Sequence, residues 1–268
     1  MKFVIDHDYH IHSRQSLCSG IPEQTPERIL RYAQENGIRQ LCLTDHFWDE
    51  TVLGASNWYK IQNYEHISCW LPLPQAEGIS FKFGCETDMD KFFTIGVSKE
   101  NLDKFDFIIV PTTHMHMDGF TIDKKDGSLD RRAYLWVKRF AALIDADLPK
   151  RKIGIAHLNC DLIAPAAWED HIKVLDKVTD AECAELFRGA AEREIGVELN
   201  MYIPRYSPDE LKRVMRLYFI AKDCGCKFYV GSDAHAPEDL DGAMEKFGLM
   251  VDYLKLEESD KFHPACFD

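Results

Sequence analysis

The sequence predicts an α/β fold built on parallel strands, and three observations carry that reading. Short apolar runs rich in β-branched or aromatic residues recur along the chain, bounded by Gly, Pro or Asp. Helical patterns with legible start and stop signals lie between several of them. Histidines and acids stand just past the C-terminal ends of the runs, and in a parallel barrel all those ends meet at one face. Seven strand–helix units favour a barrel over an open sheet, and the sequence alone leaves both open.

Lys2–Ile5 leads into Tyr9–His12 as the first strand region. Thr25-Pro26-Glu27 then starts a helix, with Thr25 as N-cap and Pro26 at the first helical position, and Gly37 stops it. Gln40–Leu43, Ser80–Cys85, Phe107–Val110 and Lys152–Ala156 follow as strands, with a helix over Arg131–Ile144 before the last of them. Asp180 caps a helix over Ala181–Ile195, and the strand Gly196–Leu199 follows directly. Ser207-Pro208-Asp209-Glu210 is a capping box that opens a helix ending near Gly225. Lys227–Val230 is the last strand and Asp239–Leu254 the last helix. Two stretches break the alternation: residues 47–78, with Trp48, Trp58, Tyr59, Tyr64 and Trp70, and residues 112–130, rich in Gly, Asp and Lys. Long insertions at a barrel mouth are candidates for substrate loops, with plain surface packing as the alternative.

The 268 residues are 46% apolar and 12% aromatic, enough for a full core, so disorder is excluded. One domain spanning residues 1–268 accommodates the length. The net charge of −13 argues against a nucleic-acid partner, which wants a basic face. It leaves room for a small anionic substrate held through metal ions, which bring their own positive charge. No apolar run reaches the roughly 18–20 residues of a membrane span, and acid and histidine arrive too early in Met1–His7 for a signal peptide. The nine cysteines are scattered and read as reduced thiols, so the expected location is the cytoplasm. Cys224-Gly-Cys226 reads as a helix end and turn, and the absence of a CxxC pair excludes a zinc ribbon. Oligomeric state leaves no trace in the sequence.

The placement of the histidines is the decisive pattern. His10 and His12 close the first strand region in Asp8-Tyr9-His10-Ile11-His12, and His46 follows the second strand in Leu43-Thr44-Asp45-His46. Glu86 follows the third, His114 and His116 the fourth, His157 the fifth, and Asp233 and His235 the seventh. Residues i and i+2 on a strand point the same way, so His10 with His12, and Asp233 with His235, can each offer two donors to one site. Imidazoles mixed with carboxylates suit zinc, iron or manganese. The donors exceed what one ion needs, so two or three divalent ions are expected. His7, His66, His171 and His263 fall outside the pattern and read as structural residues.

The ordered set His-x-His, Thr-Asp-His, Glu, His, His and Asp-Ala-His resembles the PHP family (polymerase and histidinol phosphatase) of metal-dependent phosphoesterases, over residues 8–235. With no polymerase part beside it, the chain looks most like the histidinol-phosphatase branch. The resemblance implies a distorted (β/α)7 TIM-like barrel with a trinuclear centre at the C-terminal face of its strands. By that resemblance His10, His12, Glu86 and Asp233 hold the first ion, and Glu86 bridges to a second held with His114 and His157. The third is held by His46, His235 and a residue shortly after the His-x-His. Cys18 stands there, where some members have His; it is a candidate ligand, with simple packing as the alternative. His116 rivals His114, which is preferred because it lies nearer the strand end. Glu86, Asp233 and His235 are then catalytic residues as well as ligands.

The activity implied is hydrolysis of a small phosphate monoester, histidinol-phosphatase-like, by a hydroxide held between two ions. Arg205, in the run after the sixth strand, is the candidate guanidinium clamp for phosphate, with Asn200 near it. Arg14 and Arg132 are weaker candidates. Asp8 and Asp45 are candidates to orient ligand histidines, with local turn capping as the alternative. Two rival readings stand beside this one: a phosphodiesterase or nuclease, and a metal-binding module without turnover.

Overall fold

Strand β1 (His7–Ile11) runs into helix α1 (Pro26–Asn36), followed by β2 (Gln40–Leu43), β3 (His46–Phe47) and the single-turn helix α2 (Tyr64–Ile67). Next come β4 (Ser80–Phe83), β5 (Cys85–Thr87), β6 (Ile108–Pro111), α3 (Leu129–Asp145) and β7 (Ile153–Ala156). The chain then forms α4 (Asp170–Asp176), α5 (Asp180–Glu192), β8 (Gly196–Leu199), α6 (Pro208–Asp223), β9 (Lys227–Val230), α7 (Pro237–Asp241) and α8 (Ala243–Leu254). This computed structural model describes residues 1–268.

Every strand pairing is parallel. One sheet has the order β1-β2-β4, the other β3-β5-β6-β7-β8-β9. The second predicted strand forms as read, and past Thr44-Asp45 the chain adds β3, while the third breaks at Gly84 and resumes as β5. These two strand positions pass the ladder from one sheet to the other. A β-carbon at Gly84 would stand 2.7 Å from Cys42 Sγ and overlap the Phe107 carbonyl, so the crossing needs glycine. The last strand returns to the first. Ile11 bridges Ala234 in parallel, His12 N–H donates to Ala234 O (3.0 Å), and Asp233 N–H donates to His10 O (2.7 Å). Seven strand positions in sequence order, two of them kinked and the seam between β9 and β1 narrowed to a bridge, make the distorted TIM-like barrel.

Helix ends follow from local chemistry. Thr25 accepts from Arg28 N–H, and Gly37 at φ 70° closes α1 in the left-handed conformation. The capping box at Ser207 and Glu210 is formed. For α5 the cap is Thr179, one residue earlier than expected, because Thr179 and Glu182 satisfy each other's backbone N–H groups in a capping box. Three further expectations are corrected. Lys2–Ile5 forms no strand; only Lys2 makes a bridge, antiparallel to Glu257. The last helix is divided at Gly242 into α7 and α8. Helix α4 appears where no element was expected, held by the buried Ile172, Val174 and Leu175.

The main core lies between strands and helices and includes Trp136, Phe140, Phe187, Met215 and Phe247. A separate cluster of Tyr9, Phe107, Tyr229 and Phe262 fills the barrel itself, and Phe267 stacks on Tyr9 with ring centroids 5.1 Å apart. The first insertion folds as short helical turns. It is tied down by Asp49, which accepts from Ser98 Oγ (2.6 Å) and Asn101 Nδ2 (2.5 Å). No helix is long and apolar enough to cross a membrane.

Candidate metal centre

The C-terminal ends of β1, β6, β7 and β9, with the short strands β3 and β5 that carry His46 and Glu86, deliver the histidines and acids of the sequence pattern to one point. His10 and His12 face the same way, with Nε2 atoms 3.0 Å apart. Glu86 sits among them: Oε2 lies 3.4 Å from His10 Nε2, 3.3 Å from His12 Nε2 and 3.1 Å from His46 Nδ1, while Oε1 lies 3.4 Å from His157 Nε2. Asp233 Oδ1 is 3.4 and 3.2 Å from the Nε2 atoms of His10 and His12. Three groups of donor atoms result, each closed within 4.8 Å: His10, His12, Glu86 and Asp233; Glu86, His114 and His157; His12, His46 and His235. His157 (φ 25°) and Asp233 (φ 55°) hold left-handed backbone just past their strands. Such strain persists only where the surroundings over-determine it, and it clusters at functional sites.

The residues fit divalent ions. One nitrogen of each of five rings is committed to an oxygen: His10 Nδ1 to Glu198 Oε1 (2.6 Å), His12 Nδ1 to Ser16 Oγ (2.8 Å), His114 Nδ1 to Asp88 Oδ2 (3.3 Å), His157 Nδ1 to Thr113 Oγ1 (3.1 Å) and His235 Nδ1 to the Asp233 carbonyl (2.8 Å). A proton on each of those nitrogens leaves Nε2 as a bare lone pair, which is how metal-ligating histidines are held. The bare pairs of His10 and His12 then face each other and two carboxylates, an arrangement that repels itself unless a cation stands between them. Glu86 Oε1 and His46 Nδ1 are also buried without a hydrogen-bond partner.

Electrostatics point the same way. Burial opposes charge on His10, yet Glu198, Asp233 and Glu86 raise it well above the ordinary imidazole value. Burial is likewise outweighed at His12, where Asp233 and Glu86 raise it to about 9. Burial would push Glu86 and Asp233 up, but the surrounding imidazoles, His46 and His10 foremost for Glu86 and His10 and His12 for Asp233, hold both well below the carboxylate range. At His46 burial dominates and holds the imidazole well below its ordinary value, with Glu86 opposing it. The centre draws positive charge, as protons on His10 and His12 in the absence of ions, and divalent cations would supply the same charge.

The remaining candidates fall in several places. Cys18 lines the same cavity but stands outside all three groups; the third contains His12, which the first group contains as well. The turn after β1 carries Cys18 to the rim. Burial, with Glu86 and Asp233 nearby, pushes its thiol up to about 12. His116 is in no group; its ring stands 5.3 Å from that of His114, and burial and His114 lower it to about 4. Arg14 is turned away, its guanidinium 5.0 Å over Trp70 and donating to Pro22 O, so it borders no part of the centre. Arg132 is spent on the carbonyls of Met115 and Ile163. Asp8 orients no imidazole: it accepts from the N–H groups of Ser232 (2.9 Å) and His10 (3.3 Å) and so ties the seam. Asp45 acts through Ser16, whose Oγ donates to Asp45 Oδ1 (2.7 Å) while accepting from His12. His7, His66 and His171 bond to backbone groups of Val230, Gln15 and Trp168.

Two adjoining cavities open onto the centre, and both touch His157, Cys160 and Asp233. The first, about 190 Å³, is lined by Trp58 and Tyr59 of the first insertion and by His116 and Met117 of the second. The second, about 260 Å³, holds Asn200, Arg205, Trp168 and Lys246. Arg205 stacks 3.8 Å over the Trp168 ring, and Asn200 Nδ2 donates to Glu198 Oε2 (3.2 Å). Lys246, which the sequence reading did not single out, donates to Ser232 O (2.6 Å).

Glu198, Asp88, Ser16 and Thr113 were likewise missed. Glu198 left a signal, a lone carboxylate in the apolar run Val197-Glu198-Leu199, and so did Asp88, two residues past Glu86 and on the same face. Ser16 and Thr113 left none, because any turn carries such hydroxyls.

No curated protein matches the chain by sequence. Among solved structures it is similar to the histidinol phosphate phosphatase HisK of Lactococcus lactis subsp. lactis, complexed with Zn, L-histidinol and phosphate, at 16% identity and TM-score 0.58, over 96% of this chain and 98% of that one. It is also similar to a Listeria monocytogenes chain assigned as histidinol phosphatase HisK, at 13% identity and TM-score 0.58, over 90% of this chain and 99% of the other. At such identities the likeness is one of fold. The PHP domain family model matches residues 8–202, most of the chain, and Asp233 and His235 join the matched residues only through the return of β9 to β1. The chain belongs to the PHP domain family.

Proposed function

We propose that this protein is a metal-dependent phosphoric monoester hydrolase of histidinol-phosphatase-like activity, one domain over residues 1–268 acting on a small phosphorylated metabolite in the cytoplasm. The observation that carries the reading is the chain of three donor groups linked through Glu86 and His12 beside two cavities. Two to three ions of zinc, iron or manganese would be held there: the first by His10, His12, Glu86 and Asp233, the second by Glu86, His114 and His157, and a third by His46 and His235, because the one free lone pair of His12 serves the first. Bound in those positions, the ions supply Lewis acidity toward phosphoryl oxygens and a nucleophilic water at neutral pH. The zinc, L-histidinol and phosphate of the Lactococcus lactis structure support the choice of ligand class.

The chain's own groups do the rest. Stacking on Trp168 fixes the guanidinium plane of Arg205 and leaves its N–H edge for phosphate oxygens. Asn200 and Lys246 border the same cavity and position the leaving alcohol. Asp233 borders both cavities, and its carboxylate is held ionised, the form in which it can ligate an ion or accept a hydrogen bond. His235 keeps its Nδ1 on the Asp233 carbonyl and so holds its other nitrogen on the centre. Trp58 and Met117 wall the first cavity.

The test is phosphate release from a panel of monoesters that includes histidinol phosphate, with Mn, Zn and Fe supplied and metal content quantified on the same sample. Metal-dependent turnover of a monoester, lost in Arg205→Ala, is the expected result. Turnover of diesters alone, or bound metal with no turnover on any ester, overturns it in favour of a diesterase or a non-catalytic module. Unchanged kcat/KM in Arg205→Ala removes the clamp assignment alone.

A further inference from the structure

Glu198 is fully buried on β8, a strand that contributes no residue to the three donor groups. Its two oxygens are nevertheless both spent at the centre. Oε1 accepts from His10 Nδ1–H at 2.6 Å, and Oε2 accepts from the backbone N–H of His157 at 2.7 Å. Oε2 also accepts from Asn200 Nδ2. His10 belongs to the first donor group and His157 to the second. Room for the carboxylate is made by Gly231, where a β-carbon would overlap Glu198 Oε1 and come within 2.6 Å of His10 Cβ. His157 is the residue at φ 25°, so the N–H that Glu198 accepts belongs to the strained peptide that sets this ligand's place.

We infer that Glu198 is a positioning residue that couples the first and second metal positions, holding the His10 ring in the tautomer that ligates through Nε2 and the His157 backbone in the bend that aims its ring at Glu86. The inference rests on the reading of His10 and His157 as ligands. Only a carboxylate can serve both ends, because both partners are donors. The amide of a Glu198→Gln variant offers one acceptor and one donor. If it turned its oxygen to His10, its NH2 would face the His157 N–H; if it turned its oxygen to His157, its NH2 would force the His10 proton onto Nε2 and block ligation. Either way one position is lost, and a residue with no such role would lower stability without touching ion uptake.

The experiment is zinc titration by calorimetry, with zinc content measured after dialysis, on the wild type and on Glu198→Gln. Circular dichroism confirms that the variant is folded. The expected result is loss of one ion, or weakening of the first two by about 10–100-fold, the usual effect of removing an outer partner of a ligating histidine. Equal stoichiometry and affinity in the two proteins overturn the inference alone; a wild type that takes up no zinc overturns it together with the metal-centre reading. Should the variant not fold, histidine 15N spectra of the zinc-loaded wild type decide. A His10 ring protonated at Nδ1, with that proton shifted far downfield by the short bond, supports the coupling, and a proton on Nε2 overturns it.

Discussion

Arg139 and Asp88 form an ion pair of 3.1 Å in which each side chain is only 1% exposed. The same carboxylate turns its other oxygen to His114 Nδ1 at 3.3 Å, so a cation on α3 fixes the group that fixes a candidate ligand. The remaining guanidinium hydrogens go to the carbonyls of Thr112, Met89, Asp90 and Thr121, which lie in the loops after β5 and β6. One side chain therefore holds both loops that border the second donor group.

Replacing Arg139 by Leu leaves Asp88 buried with no counter-charge. The expected cost is about 3–5 kcal/mol of stability, read as a lowered urea midpoint. The double variant Arg139→Leu/Asp88→Leu removes both charges and is expected to recover part of that loss, while zinc uptake by the second group stays impaired because His114 has lost its orienting partner. A double variant no more stable than the single one would show that the guanidinium's carbonyl contacts, and not the ion pair, carry the energy.

Cys18 stands at the rim with a thiol pushed up to about 12, outside the His12, His46 and His235 group. Cys18→Ser is therefore expected to keep the wild-type metal content and to leave kcat/KM close to the wild-type value, since no donor group loses a ligand. Cobalt substitution gives an independent reading. Absence of a thiolate charge-transfer band is expected, and a band lost in Cys18→Ser would return Cys18 to the ligand set.

Asp49 provides a pH test away from the centre. Burial pushes its carboxyl up, but Ser98, Thr51 and Asn101 outweigh burial and hold it at about 2. Its folded value lies below its unfolded one, near 4. The ionised group therefore contributes its full stabilisation above about pH 4, and that contribution is lost as pH falls through about 2. Asp49→Ala is expected to cost roughly 1.5–3 kcal/mol at pH 7, the range for hydrogen bonds to a charged group, with the gap from wild type closing between pH 4 and pH 2. A gap independent of pH would show that the side chain acts by filling space.

Removing the ions should also lower stability, because they bind the folded chain and bring opposing lone pairs and carboxylates into register. Chelation is expected to lower Tm, and excess zinc at about a hundred times Kd to restore about 2.7 kcal/mol. Glu86→Gln is expected to respond weakly to both treatments and to lose more than the about 10–100-fold in kcat/KM typical of an outer partner, since Glu86 belongs to two of the three groups. A Glu86→Gln melting curve that shifts with zinc as the wild type does would remove Glu86 from the ligand set.

Strand ends and helix caps were legible in the sequence because they are decided within a few residues: Thr25-Pro26, Gly37 and the Ser207 box form as read. The convergence of His10, His12, Glu86, His157 and Asp233 was legible because parallel strands leave only one face for their ends. What escaped depends on distant neighbours. The break at Gly84 goes with the close approach of Cys42 and Phe107, and the place of Arg14 goes with Trp70, far along the chain. Helix α4 carries too few residues for a periodic signal and owes its existence to the core that buries Ile172, Val174 and Leu175.

The seam between β1 and β9 bears on the time course of folding. Asp8 accepts from Ser232 N–H across a sequence separation of 224 residues, and His12 donates to Ala234 beside it. Contacts of that span form late, since the loop entropy is lost before any bond is gained. His10 and His12 stand on one side of the seam and Asp233 and His235 on the other, so a chain with the seam open lacks a complete first or third group. Refolding in the presence of zinc should then show helix content returning before ion uptake, with uptake marking the moment the circuit of strands completes.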